Sequence, residues 1–204
     1  MQTRRTFLTT STLALMANTL PGFAQHADLE AESPTDDEPV QRRYMMEDTY
    51  GNVVTNEDVQ GRFVLVYFGY MSCPDVCPTA MSTVADTLEQ LGEDAEKLAV
   101  LFVTVDPKRD TAKDLRDYIH FFDKRIIGLR GPKAYTDHMV KVFNARYEFH
   151  VPDPDRPDEY AVDHTASIAF LDPAGYLIRR FPHGTSADQI AEDIRTTMAE
   201  GPQN

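Results

Sequence analysis

Tyr67-Phe68-Gly69-Tyr70-Met71-Ser72-Cys73-Pro74-Asp75-Val76-Cys77-Pro78 holds the only two cysteines of this 204-residue chain. The apolar run leading into it, Phe63 to Phe68, is rich in β-branched and aromatic residues and reads as a buried strand. Behind it, Met81, Val84, Leu88 and Leu91 recur at helical spacing, so the cysteines fall where a central strand turns into a helix. Proline follows each cysteine and pushes it out of the α region. This predicts a short turn with Cys77 near the cap and Pro78 at the first helical position. There the helix dipole favours thiolate over thiol. The spacing lets both sulfurs face the same way, close enough for a disulfide or for one metal ion.

Outward from this stretch the chain alternates strands and helices. Asp48-Thr49-Tyr50-Gly51-Asn52 is a turn between Tyr44–Glu47 and Val53–Thr55, an N-terminal hairpin. Leu98 to Val105 is a second continuous apolar run, hence a second buried strand. Thr111 can cap a helix bearing Leu115, Tyr118, Ile119 and Phe122 on one face. Ile126 to Leu129 reads as a short strand, and Met139, Val142, Phe143 and Arg146 mark a further helix. Tyr147 to Asp163 is polar, carries Pro152, Pro154 and Pro157, and reads as an extended excursion. Asp172-Pro173-Ala174-Gly175 is a type I turn signal joining Ser167–Leu171 to Tyr176–Phe181. Ser186 and Gln189 form a capping box for a last helix that buries Ile190, Ile194 and Met198. The order gives an α/β domain over residues 44–204, with a mixed central sheet, helices on both faces and the N-terminal hairpin. With a cysteine pair at the first strand-to-helix turn, the pattern resembles the thioredoxin-like fold.

The N-terminal residues have a different character. Arg4-Arg5 with Phe7 and Leu8, an uncharged span to about Gly22, and the small-x-small site Gly22-Phe23-Ala24 read as a twin-arginine export signal over residues 1–24. Residues 25–43 are acidic, with Pro34 and Pro39, and read as a disordered tether. The expected destination is the bacterial periplasm or the outer face of the cytoplasmic membrane, with membrane contact only through an uncleaved signal. A net charge of -13 argues against nucleic-acid binding. In an oxidising compartment two cysteines normally pair. A structural disulfide across so short a loop would stabilise little, so the pairing points to redox or metal chemistry.

Three motifs, in order, give the chain a family resemblance. Cys73-Pro74-Asp75-Val76-Cys77-Pro78, Val105-Asp106-Pro107-Lys108-Arg109-Asp110-Thr111 and Val162-Asp163-His164-Thr165 resemble the Sco/SenC proteins, copper-binding factors of cytochrome oxidase assembly. The resemblance covers about residues 44–199. It implies Cys73, Cys77 and His164 as copper ligands, for Cu(I) or Cu(II). Among the six histidines, His120 and His138 lie inside helical patterns, His150 in the excursion and His183 in a loop. His164 alone precedes the strand that a thioredoxin-like sheet brings beside the cysteine turn. Met71 stands where the family commonly has threonine. Asp106 ends a buried strand and is expected to cap the turn toward Thr111, with support of the cysteines as the sharper alternative. Asp163 is a weak candidate for orienting His164.

The resemblance further implies a metallochaperone whose partner is the copper-bearing subunit of cytochrome c oxidase. Other periplasmic copper chaperones or thiol reductases are further candidates. The rival reading is a thiol-disulfide oxidoreductase using the Cys73–Cys77 pair to keep partner cysteines reduced. Such enzymes carry a cis-proline where Thr165 and Ala166 stand here. Zinc would need a fourth donor that the sequence does not advertise.

Overall fold

A computed structural model of the chain describes residues 40–201. The export signal and most of the tether lie outside the described residues. The element order is β1 (Met45–Asp48), β2 (Val53–Thr55), β3 (Phe63–Gly69), α1 (Val76–Leu91), β4 (Leu98–Thr104), α2 (Ala112–Phe122), β5 (Ile126–Arg130), α3 (Lys133–Val142), β6 (Tyr147–His150), β7 (Ala161–His164), β8 (Ile168–Leu171), β9 (Leu177–Phe181) and α4 (Ala187–Glu200).

Seven strands form one mixed sheet in the order β2-β1-β5-β4-β3-β8-β9. The central β3–β4 and β4–β5 pairs are parallel, and β8 runs antiparallel on the other side of β3. Every residue of β3 and β4 is buried, which explains why both read as continuous apolar runs without alternation. Alternate residues serve opposite faces. Phe68 meets Phe143, at the end of α3, with ring centroids 5.7 Å apart, whereas Tyr67 packs on Phe102 and Phe102 on Tyr118 of α2. Helices therefore cover both faces, with α4 packed along α1. No helix among the described residues is long and apolar enough to cross a membrane.

The caps follow the sequence. Thr111 Oγ1 accepts from the Asp114 N–H, and Ser186 and Gln189 close a reciprocal capping box. The Asp172 turn ends on Gly175 at φ +87°, with the Asp172 carboxylate accepting from the Ala174 and Tyr176 N–H groups at 2.9 Å.

Five details depart from expectation. Helix α1 starts at Val76, so Pro78 is the third helical residue rather than the first; its missing N–H is still one of the first-turn donors that lack an intrahelical acceptor. Residues Gln41 and Arg42 are not loose tether. Gln41 donates to the Ala174 carbonyl at 2.8 Å, and buried Arg42 donates its N–H to Gly175 at 3.0 Å and Nη1 to Val142 at 2.9 Å. Helix α3 stops at Val142, with Phe143 as its cap and Arg146 beyond it. Met198 is half-buried, packed at the edge of the core. The excursion folds back on itself: β6 and β7 pair antiparallel as a separate two-stranded ribbon, Tyr147 opposite His164.

Candidate metal centre

The three sulfur and imidazole donors singled out in the sequence come together. Cys73 sits in the turn after β3, Cys77 in the first turn of α1, and His164 at the last position of β7. Cys77 Sγ lies 3.3 Å from His164 Nε2, and all three ligand atoms fall within 4.8 Å of one another. Ligands held about 2.0–2.3 Å from one ion can be at most about 4.6 Å apart, so the set needs little closure to share a metal. Among the described residues this is the group of cysteine, histidine and carboxylate side chains close enough to hold one.

His164 is set up as a donor. Its Nδ1 lies 3.2 Å from the Thr165 carbonyl oxygen, which can only accept, so Nδ1 carries the proton and Nε2 turns its lone pair to the sulfurs. Burial holds the imidazole pKa below its ordinary value and keeps the ring neutral. Tyr67 and Tyr70 hold the ring edge-on from two sides, at centroid distances of 6.0 and 5.8 Å.

Cys77 behaves differently from its reading as a dipole-stabilised thiolate. It is fully buried, and burial pushes its thiol up to about 12, against a smaller opposing effect of the Tyr70 N–H. The helix dipole is present, but desolvation of a charged sulfur packed beside Tyr67 and Gly69 outweighs it. Gly69 explains how the sulfur is seated. A Cβ there would meet Cys77 Sγ at 2.9 Å and Tyr67 Cε1 at 2.9 Å, so the strand end must lack a side chain for α1 to dock.

The supporting residues come from the second motif. Asp110, not Asp106, reaches the cysteine turn: its Oδ2 accepts from the Met71 N–H at 3.2 Å and from Thr104 Oγ1 at 2.6 Å. Burial raises the Asp110 carboxyl to about 6. Asp106 is buried and ion-paired with Arg109, and its Oδ1 accepts from Tyr160 Oη at 2.9 Å. The Arg109 guanidinium lies 3.7 Å over the Tyr160 ring and 5.5 Å from that of Tyr70, and donates Nη1 to the Tyr160 carbonyl at 2.8 Å. Tyr70 Oη in turn accepts from the Val162 N–H at 3.3 Å. Asp106 thus caps the turn as expected, since its carbonyl accepts from Arg109 and Asp110, and it also anchors the ribbon that carries His164.

Asp163 does not orient His164; it points to the other side and pairs with His150 at 2.9 Å. Met71 is half-buried against the core. His120, His138 and His183 lie outside the donor group. Sequence reasoning missed Gly69, Tyr70, Arg109, Asp110 and Tyr160. The three-residue spacing of Asp106 and Arg109 was the available signal for one pair.

A family profile described as SCO1/SenC matches residues 32–199. The chain is 33% identical over 152 residues to an SCO2-like protein of Rickettsia felis, covering 72% of each. It is 33% identical over 154 residues to the mitochondrial SCO2 homolog of Bos taurus, covering 74% of this chain but only 57% of the bovine one. The structure of Bradyrhizobium japonicum ScoI with copper bound matches at a TM-score of 0.70 and 31% identity, over 77% of this chain and 98% of that one. Yeast Sco1 with copper bound matches at a TM-score of 0.73 and 27% identity, over 81% and 91%.

Proposed function

The chain belongs to the SCO1/SenC family, and from that we propose that it binds copper through Cys73, Cys77 and His164 and hands it to the binuclear copper site of cytochrome c oxidase. The observation that carries this reading is the convergence of two thiols and one neutral imidazole within 4.8 Å. Two relatives, ScoI of B. japonicum and yeast Sco1, have been solved with copper bound.

Two thiolates and an imidazole suit Cu(I), a soft closed-shell ion that accepts three ligands; Cu(II) takes a further ligand or water. Loading displaces the Cys77 proton, and because burial holds that proton tightly, apparent affinity rises with pH. Oxidation of Cys73 and Cys77 to a disulfide removes both thiolates and with them the site. Release is a ligand exchange in which a partner's thiolates and imidazoles replace these donors one at a time. His164 is the ligand placed to leave first, since it stands on a ribbon outside the main sheet. We place the protein in the periplasm or on the outer face of the cytoplasmic membrane, exported by the Arg4-Arg5 signal.

The test is transfer. Cu(I)-loaded protein is mixed anaerobically with the metal-free, reduced copper-bearing domain of cytochrome c oxidase, and copper is followed in each after separation. Stoichiometric movement to the oxidase domain is expected. Copper retained on the chain would contradict delivery, and reduction of the disulfide form of the oxidase domain by the copper-free Cys73–Cys77 dithiol, in a parallel mixture, would put thiol-disulfide exchange in its place.

A further inference from the structure

Tyr67 touches both the cysteine turn and His164. Its ring stands edge-on to the imidazole at 6.0 Å, and its Cε1 packs beside the Cys77 sulfur: both atoms lie 2.9 Å from the point a Gly69 Cβ would occupy. The residue is 1% exposed, so bulk water does not compete for its hydroxyl.

That hydroxyl has one proton to donate and two acceptors in reach. In this structure it donates to the Val76 carbonyl at 3.4 Å, beyond the about 2.5–3.0 Å of an ordinary O–H···O bond. Val76 is the first residue of α1, and the helix supplies its carbonyl with a partner of its own four residues on, so α1 does not depend on this contact. The second acceptor is the sulfur of the next residue. Against the burial that raises the Cys77 thiol work two donors, the Tyr70 N–H and, more weakly, the Tyr67 O–H.

The charge on sulfur decides between the two acceptors. A thiol sulfur accepts only weakly. A thiolate is charged, and hydrogen bonds to charged groups are shorter and roughly twice as strong as neutral ones. In a dry site that difference is not screened. Copper loading breaks the Cys77 S–H bond, passes its proton to a base in solvent and forms a sulfur–copper bond, which leaves the sulfur as the better acceptor.

We propose that Tyr67 is a positioning residue of the copper site: with copper bound, its hydroxyl turns from the Val76 carbonyl to Cys77 Sγ. This rests on the copper-binding reading. A hydrogen bond to a cysteine ligand draws electron density from the sulfur and thereby favours Cu(I) over Cu(II).

The test compares wild type with Tyr67→Phe and Tyr118→Phe. Tyr67→Phe keeps the ring against Phe102 and His164 and removes only the oxygen. Tyr118 also packs on Phe102, but its buried hydroxyl has no hydrogen-bond partner among the described residues. Tyr67→Phe should lower Cu(I) affinity about tenfold, the low end for a hydrogen bond to a charged group, and Cu(II) affinity less. In the Cu(II)-loaded protein its sulfur-to-copper charge-transfer band should move to longer wavelength, because a sulfur without the donor gives up electrons more easily. Tyr118→Phe should change neither. A Tm lowered in Tyr67→Phe with affinity and band unmoved would make the hydroxyl merely structural and overturn the proposal. So would a crystal structure of the Cu(I)-loaded wild type in which Tyr67 Oη still faces the Val76 carbonyl. A wild-type protein that binds no Cu(I) would instead overturn the copper reading, and this inference with it.

Discussion

The two halves of the candidate metal centre are built on opposite principles. Cys73 and Cys77 lie between the fully buried strand β3 and the start of α1, and both are buried. His164 comes from a ribbon that shares no strand pairing with the seven-stranded sheet. What ties that ribbon to the cysteine turn is a short polar and aromatic chain: Asp106 to Arg109 and Tyr160, and Tyr70 to Val162. On the copper-transfer proposal, the imidazole on this ribbon is the donor placed to adjust to a partner. The sulfur donors and the imidazole donor thus stand on separate elements.

Damage to the fixed half should have the largest effect. Cys77→Ser should reduce Cu(I) affinity by more than about a hundredfold, beyond the 10–100-fold that follows loss of a supporting partner. Competition with a chromophoric Cu(I) chelator measures it; a smaller loss would mean that Cys77 is not a ligand. Gly69→Ala attacks the same half through shape. Its Cβ would press on Cys77 Sγ and Tyr67, so both copper affinity and stability should fall, the latter by about 1–3 kcal/mol in urea unfolding.

The link between the halves comes next. Arg109→Lys removes the stacked fork over Tyr160 and the bond to its carbonyl, so copper affinity should drop about 10–100-fold. The reduction potential of the Cys73–Cys77 pair should stay at the wild-type value, because Arg109 touches neither sulfur. A potential that moved with affinity would show that the halves are not separable.

The remaining effect concerns pH. Burial raises the folded-state Asp110 carboxyl to about 6, above its unfolded value near 4. The native state therefore holds the proton more tightly, and this group's contribution to stability is complete below pH 4 and lost as pH rises through 6. Across that window the loss is about 2–3 kcal/mol. Asp110→Asn keeps acceptors for Thr104 and Met71 and should flatten this part of the pH–stability curve. An unchanged curve would place the titrating group elsewhere.

The same contrast explains what could be read from residues alone. The fixed half was legible because its signals are local: an apolar run, two Cys-Pro steps and a helical repeat within thirty residues. The ribbon was not. Tyr147–His150 and Ala161–His164 are separated by a proline-rich polar loop, and exposed strands of four residues carry too little alternation to announce that they pair. Burial of the Cys77 sulfur was equally invisible, so the dipole at α1 suggested an acidic Cys77 where desolvation raises its pKa instead. Asp106 and Asp110 look alike in the sequence. Only the fold shows that one holds the ribbon and the other the cysteine turn.

The most direct measurement is an anaerobic Cu(I) competition titration of the reduced protein, run beside His164→Ala and beside wild-type protein oxidised to the Cys73–Cys77 disulfide. One tightly bound ion per chain, weakened sharply in His164→Ala and absent from the oxidised protein, is the predicted result. Equal affinity in wild type and His164→Ala would contradict a centre built from both halves.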